Sequence, residues 1–366
     1  MTARLTRRPG GPARLRALLD SGQTIVAPGA FDPLSARLVE EAGFPAVYMT
    51  GFGTSASFIG RPDVGLLTMS EMAGNAGRIA ACVDIPVIAD ADTGYGNPLN
   101  VIRTVGAYEA AGVAGIHIED QVAPKKCGHM EGKLVIPADE MVQKVRAAVE
   151  ARTQTDFVII ARTDARAVEG LERCLERARM YREAGADVLF IEALTSEAEI
   201  EEAARAFPGV PLLFNWAEGG KTPPVSLDRL KELGYQIVIF PVSTLLAATG
   251  AMRRILQEIA QAGTPAAAMH ELPAFGDFLD FIGLPQVHEA EQRYAVKAAA
   301  GSPGTDARTS TPPRRLQGQR TAEGRPPGFG RAAMGADGAC ARPRPAGTLA
   351  LPRRFVGPCP ATRPPP

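Results

Sequence analysis

The stretch "EAAGVAGIHIED", Glu109–Asp120, decides the architecture. A helical segment runs out at Gly112, and a short apolar strand starts soon after and closes on two acids, Glu119 and Asp120. Glycine just past a helix end takes the left-handed backbone conformation without steric cost. The strand is a near-continuous apolar run, not an alternating one, which marks a strand covered on both faces, as in a parallel sheet. The phrase recurs in "EEAGFPAVYMT" (Glu40–Thr50), "REAGADVLFIEA" (Arg182–Ala193) and "KELGYQIVIFP" (Lys231–Pro241), with Gly43, Gly185 and Gly234 at the helix ends.

Filling the intervals gives eight strand candidates: Thr24–Ala27, Ala46–Thr50, Pro86–Asp90, Gly115–Glu119, Phe157–Arg162, Val188–Ile191, Leu212–Asn215 and Ile237–Phe240. Helical segments separate them, two of which start with capping-box spacing, Thr68 with Glu71 and Ser196 with Glu199. Eight alternations of strand and helix predict a (β/α)8 TIM barrel. The alternative is an open doubly wound sheet, but "APGAFDP" (Ala27–Pro33) after the first strand carries no glycine-rich dinucleotide fingerprint. Helical stretches at Ser243–Ala262 and His270–Ala298 exceed one barrel helix, so extra C-terminal helices are expected outside the barrel or on a neighbouring subunit.

Composition divides the chain. Residues 301–366 hold 13 prolines, 10 glycines, 11 arginines, no lysine and three acids. Such a segment cannot bury enough apolar surface to offset the entropy of ordering it. The expected division is a flexible N-terminus over 1–14, a catalytic domain over 15–300 and a disordered tail over 301–366. The first 300 residues carry 29 basic and 37 acidic side chains, which gives no case for nucleic-acid binding. Cys82, Cys127 and Cys174 are their only cysteines, with no CxxC pair, so a reducing cytoplasm is expected. No apolar run reaches the roughly 18 to 20 residues of a membrane span.

In a barrel of this kind, chemistry sits at the C-terminal ends of the strands. Those ends carry Thr50 and Gly51, Asp90 and Asp92, Glu119 and Asp120, Arg162 and Asp164, Glu192, and Asn215. One such residue is often a helix cap; six strand ends together point to a site. Asp90, Asp92 and Glu119, with Asp63 as a further candidate, are hard oxygen ligands, the preference of Mg²⁺ or Mn²⁺. Zinc fits less well, because Cys127 and His129 have no second pair nearby. Arg162 adds a planar fork for a carboxylate. The site reads as a metal and carboxylate clamp for a small anionic keto or hydroxy acid. The loop "APKKCGHMEGK" (Ala123–Lys133) follows the fourth strand and is too polar to be core.

"DADTGYGN" (Asp90–Asn97), "IHIEDQVAPKKCGH" (Ile116–His129) and "ARTDA" (Ala161–Ala165) together resemble the isocitrate lyase / phosphoenolpyruvate mutase superfamily, over about Leu15 to Val296. The resemblance is to its short members, the dimethylmalate and methylisocitrate lyases and carboxyphosphonoenolpyruvate phosphonomutase. It implies a barrel whose last helix is exchanged between subunits, usually within a homotetramer. It implies Mg²⁺ near Asp90, Asp92 and Glu119, mostly through water, with Asp63 behind. Thr50, Gly51 and Phe52 match a Ser-Gly-Gly segment that binds substrate carboxylate; Phe52 replaces a glycine. Arg162, Glu192, Asn215 and Gly128 match substrate-holding positions.

The resemblance further implies carbon–carbon cleavage of a 2-hydroxy di- or tricarboxylic acid, releasing pyruvate or glyoxylate. Cys127 then donates a proton to the leaving fragment, with Lys125, Lys126 and His129 setting its thiol, and Tyr48 assists deprotonation of the hydroxyl. Tyr48 favours a lyase, whereas "NWAEGGKTP" (Asn215–Pro223) suits dimethylmalate lyase and the phosphonomutase alike. A barrel kept only for binding is disfavoured, since every matched catalytic position is intact. Trp216 is expected to pack at the rim, Cys82 and Cys174 to be small core residues, and His117 to be a hydrogen-bonded interior side chain. His270 and His288 receive no role.

Overall fold

The computed structural model describes residues 10–128 and 130–295. Eight parallel strands close into one barrel in sequence order: β1 (Ile25–Ala30), β2 (Val47–Met49), β3 (Val87–Asp90), β4 (Gly115–Glu119), β5 (Val158–Thr163), β6 (Val188–Ile191), β7 (Leu212–Asn215) and β8 (Ile237–Phe240). Closure comes from β1 pairing with β8. The (β/α)8 expectation holds. Four strands match their expected bounds; β1 runs on to Ala30, carrying Pro28 and Gly29 inside the sheet.

The helices in chain order are α1 (Gly11–Asp20), α2 (Pro33–Glu41), α3 (Gly51–Ile59), α4 (Met69–Cys82), α5 (Pro98–Ala111), α6 (Ala138–Ala151) and α7 (Arg166–Glu169). They continue as α8 (Leu171–Glu183), α9 (Glu197–Ala206), α10 (Leu227–Glu232), α11 (Ser243–Ala262), α12 (Phe275–Ile282) and α13 (Leu284–Tyr294). Among the described residues, the helical stretch expected over 270–298 consists of α12 and α13 with Gly283 between them, preceded by a 3₁₀ turn at Ala266–Glu271. None of these helices is long and apolar enough to cross a membrane. The four glycines that set the pattern, Gly43, Gly112, Gly185 and Gly234, all have positive φ. Thr68 and Glu71 form a full capping box. Ser196 caps α9 alone, because the Glu199 carboxylate turns to Arg166 and the Thr195 amide.

Two apolar layers hold the barrel. The larger lies between sheet and helices and includes Met72, Ile79, Tyr108, Phe157 and Tyr181. The smaller fills the barrel itself, where Ile25, Ile88, Ile160, Leu213 and Ile237 meet Leu15 and Leu19 of α1. Helix α1 therefore stoppers the end where the strands begin. It starts at Gly11, ahead of the domain start expected at 15, and Arg16 fastens it to Asp187 at 3.1 Å. Polar inward-facing residues collect at the other end. The tail over 301–366 lies outside the described residues.

Candidate active site

Strand pairing lines up the polar ends: Asp90 lies beside His117, and Glu119 beside Arg162. His117, expected only as an interior residue, sits on the floor of the site. Its Nε2 is 2.8 Å from the Tyr48 hydroxyl and 3.5 Å from Asp90 Oδ1. Burial pushes the imidazole down to about 4, so it is neutral near pH 7 and, in the tautomer with Nε2 bare, accepts a hydrogen bond from the phenol. Burial likewise holds Tyr48 well above its usual range, and Asp90 adds to this.

The segment after β3 is contorted. Asp92 and Tyr95 have φ of 47° and 60°, in the left-handed region that non-glycine residues avoid. The turn brings the Asp92 amide onto Asp90 Oδ1 at 2.9 Å. Lys125 then reaches in from the loop after β4. Its Nζ is 2.7 Å from both Asp63 Oδ2 and Asp92 Oδ1. Burial works against this ammonium, but Asp92, Asp90 and Asp63 outweigh it and keep it charged. Asp92 is pushed up to about 6, chiefly by burial, with Asp90 and Asp63 adding to it against Lys125.

Arg162 is buried among three carboxylates. It grips Asp164 through Nε and Nη2 at 2.9 and 3.1 Å, and it stands 3.2 Å from Glu119 and 3.5 Å from Glu192. Its guanidinium lies 5.0 Å over the Phe190 ring. Asn215 donates to Glu192 Oε2 at 3.1 Å. Asp90, Asp92, Glu119, Arg162, Glu192 and Asn215 thus converge on one barrel mouth. Thr50 caps α3 by accepting the Gly53 amide, and Phe52 is half-buried on the first helical turn.

Two glycines make the site close-fitting. A Cβ on Gly51 would fall 2.2 Å from Asp90 Oδ2; one on Gly128 would fall 2.5 Å from Arg162 Nη2 and 2.6 Å from Glu192 Cγ. The loop bearing Cys127 is therefore docked on the mouth. The Cys127 amide donates to the Asp63 carbonyl at 3.2 Å, and its side chain is half-buried. His129 lies outside the described residues.

The carboxylates fit a hard divalent cation in one respect and depart from expectation in another. Neither oxygen of Glu119 accepts a hydrogen bond among the described residues, although both are buried. Burial pushes this acid well above the carboxylate range, and a divalent cation beside it would reverse that shift. Yet no three His, Cys, Asp or Glu side chains among the described residues are gathered tightly enough to ligate one ion directly. Asp63, Asp90, Asp92 and Glu119 are not a closed ligand shell; they suit an ion that keeps several waters, as Mg²⁺ does.

The sequence reading missed Lys133. Its side chain is 2% exposed, and its Nζ is 2.9 Å from Asp164 Oδ1. Asp120 was noted only as a strand end; it is a hub that accepts from the Asp164 amide, Thr163 and Tyr181. The clue to Lys133 is the glycine before it, which ends the loop and turns the lysine inward. Trp216 packs on Phe240 and bonds the Val225 carbonyl, and Cys82 and Cys174 lie on α4 and α8 as expected. His270 and His288 lie in the exposed C-terminal segment.

A family model for phosphoenolpyruvate phosphomutase matches residues 15–260. The chain is 48% identical over 284 residues to a 2,3-dimethylmalate lyase of Eubacterium barkeri, covering 78% of this chain and 98% of that one. It is also 48% identical over 288 residues to a 2-methylisocitrate lyase of Aeropyrum pernix, covering 79% and 91%. Among solved structures it resembles a 2,3-dimethylmalate lyase described as a PEP mutase/isocitrate lyase superfamily member, with TM-score 0.75, 41% identity and coverage of 82% and 99%. It also resembles a phosphonopyruvate hydrolase complexed with oxalate and Mg²⁺, with TM-score 0.71, 35% identity and coverage of 78% and 99%.

Proposed function

The chain belongs to the phosphoenolpyruvate phosphomutase family of the PEP mutase/isocitrate lyase superfamily, an enzyme family, and we propose that it is a Mg²⁺-dependent carbon–carbon lyase. The substrate is a small 2-hydroxy di- or tricarboxylic acid, cleaved to pyruvate or glyoxylate and a second carboxylate. The observation that carries this reading is the docking of the Cys127 loop over the carboxylate mouth, with Cys127 bonded to Asp63 and Gly128 against Arg162 and Glu192.

A magnesium ion near Asp90, Asp92 and Glu119, with Asp63 behind, would supply positive charge to the hydroxyl oxygen of the substrate. The protein does the rest. The N-terminus of α3, with Thr50, Gly51 and Phe52, takes one substrate carboxylate, since helix N-termini attract anions. Arg162, Glu192, Asn215 and Gly128 hold the remainder. The substrate hydroxyl gives its proton to Tyr48. Burial keeps Tyr48 a phenol, so it accepts only by passing its own proton on to His117 Nε2. The carbon–carbon electron pair leaves with the departing fragment as an enolate-like carboxylate, and the Cys127 thiol protonates that carbon. Lys125 and His129 provide the charge around the thiol.

The same reading makes the protein a homotetramer assembled through its last helices. Helices α11, α12 and α13 bury no residue in their own subunit and expose Leu246, Leu256, Phe275 and Tyr294. Beside α11 runs a 260 Å³ groove lined by Leu34, Leu38, Phe44 and Ala248, suited to a helix from another copy.

The second reading is a phosphonomutase that forms a carbon–phosphorus bond: "NWAEGGKTP", whose Lys221 pairs with Glu131 of the Cys127 loop at 2.5 Å, suits it as well as it suits a dimethylmalate lyase. One assay separates them. The purified protein with Mg²⁺ should release pyruvate from 2,3-dimethylmalate or 2-methylisocitrate, or oxalate from oxaloacetate, and stop in EDTA. Conversion of a carboxyphosphonate without any such release would replace the lyase reading with the mutase.

A further inference from the structure

Three lysines stand in the loop between Gln121 and Ile136. Lys126 stays at the surface, bonding the Gly132 carbonyl at 2.9 Å within its own loop. Lys125 and Lys133 are buried at its two flanks. The base of the loop is fixed: Gln121 bridges Val135, the Val122 amide donates to Leu134, and the Ile136 amide donates to Asp120. The tip is held by the Cys127 amide on the Asp63 carbonyl, by Gln121 on the Lys126 backbone, by the exposed Lys221–Glu131 pair, and by the two buried ammonium groups.

Lys133 makes two contacts. It donates to the carbonyl of Gly128, the residue pressed against Arg162 and Glu192, and to Asp164 Oδ1 at 2.9 Å. That same oxygen accepts Arg162 Nη2 at 3.1 Å, while Oδ2 accepts Arg162 Nε. One carboxylate thus serves a loop cation and a site cation together. Asp164 itself cannot follow the loop, because its amide is tied to Asp120, which also holds Thr163 and Tyr181. When the tip lifts, Lys133, held beside the fixed Leu134, loses the Gly128 carbonyl and turns more of its charge on Asp164. When the tip shuts, the Gly128 carbonyl takes a share of the ammonium and Asp164 is freer to hold the Arg162 guanidinium.

We infer that Lys133 is a positioning residue: it latches the Ala123–Lys133 loop shut and, through the shared Asp164, couples that closure to the hold on Arg162. The inference deepens the lyase reading but its test needs no turnover. A buried ammonium bonded to a carboxylate and a carbonyl is a strong contact, because withdrawing either partner leaves a desolvated charge.

The test is alkylation of the full-length protein by iodoacetamide near neutral pH, read at the Cys127 peptide by mass spectrometry. The Cys82 and Cys174 peptides serve as internal references. Lys133→Met should raise the Cys127 rate about tenfold, the scale of one charged buried hydrogen bond, while Lys133→Arg returns it to about twofold of the parent. Lys221→Met, which removes the exposed pair to Glu131 of the same loop, should stay within about twofold, since exposed contacts carry little. A folded Lys133→Met protein labelled at the parental rate overturns the inference, as does a Lys221→Met protein that labels as fast as Lys133→Met. If Lys133→Met does not fold, hydrogen exchange on the unmodified chain decides: amides of 130–133 should exchange more slowly than those of the 217–222 loop, and equal rates overturn the latch. Because no step depends on product formation, failure of the lyase assay and failure of the latch are separate outcomes.

Discussion

The Tyr48 hydroxyl lies 2.8 Å from His117 Nε2, with the two rings stacked at 5.8 Å. The pair spans β2 and β4 across the barrel interior, and burial keeps both members neutral. A phenol in this setting can relay a proton but cannot hold a negative charge. Tyr48→Phe should therefore lower kcat by about 10²- to 10⁴-fold, the usual worth of positioned acid–base chemistry. The melting temperature should move little, since a neutral hydrogen bond is worth about 1 kcal/mol net. Steady-state kinetics beside a thermal melt checks this; unchanged kcat would remove Tyr48 from the chemistry.

Cys127→Ser should keep Mg²⁺ binding and lose turnover, again by about 10²- to 10⁴-fold. The serine hydroxyl is too weak an acid to protonate a departing carbon at the same rate. The Mg²⁺-induced rise in melting temperature serves as the control. A variant that turns over normally would leave the loop without its proposed proton donor.

Lys125 sits 2.7 Å from Asp63 and Asp92 and neutralises acids that a metal would also neutralise. Lys125→Met should cost about 3–5 kcal/mol without metal, as breaking a buried pair does. Added Mg²⁺ should then raise its melting temperature by more than it raises the parent's. Differential scanning fluorimetry across a Mg²⁺ titration gives both numbers, and equal Mg²⁺ shifts in the two proteins would refute the exchange of charges.

Gly51→Ala places a methyl where Asp90 Oδ2 now sits, 2.2 Å away. The carboxylate must swing, so Mg²⁺ affinity should fall while the barrel, held by layers far from this point, stays folded. Isothermal titration with Mg²⁺ in the absence of substrate reads this directly, and an unchanged affinity would take Asp90 out of the ion's reach.

Burial pushes the thiols of Cys82 and Cys174 up to about 11 and about 12. Both folded values lie above the ordinary thiol value near 9. The stability tied to them is thus complete below that value and is lost as pH climbs through 11 and 12. Two outcomes follow. Among these three cysteines, Cys127 should alkylate first near pH 8, with Cys82 gaining about tenfold per pH unit until its thiolate saturates. The melting temperature should fall on the alkaline side, and Cys174→Ala should flatten part of that fall. Peptide mapping and a pH series of melts test each.

Much of the barrel was readable because helix-ending glycines and two-faced apolar strands are local signals. Gly112 and the run to Glu119 state their conformation within a dozen residues. The strand-end acids and Arg162 were legible for the same reason, since a charge at the close of an apolar run has no core to join. The partners were not. Nothing near Lys133 in sequence says that it meets Asp164, and His117 looks like one more interior residue until β2 brings Tyr48 beside it. The same limit explains the capping box at Ser196, where spacing is right but Arg166, distant in sequence, claims the Glu199 carboxylate.

Helix α1 plugs the barrel where its strands begin, with Leu15 and Leu19 set into the interior. Whatever reacts at the opposite mouth therefore arrives and departs through that one opening, over which the Cys127 loop is docked. On the proposed lyase reading, both products of one molecule leave past that loop. Inhibition by each product should reveal a fixed order of departure, with the fragment seated deepest among Asp90, Glu119 and Arg162 the last to go.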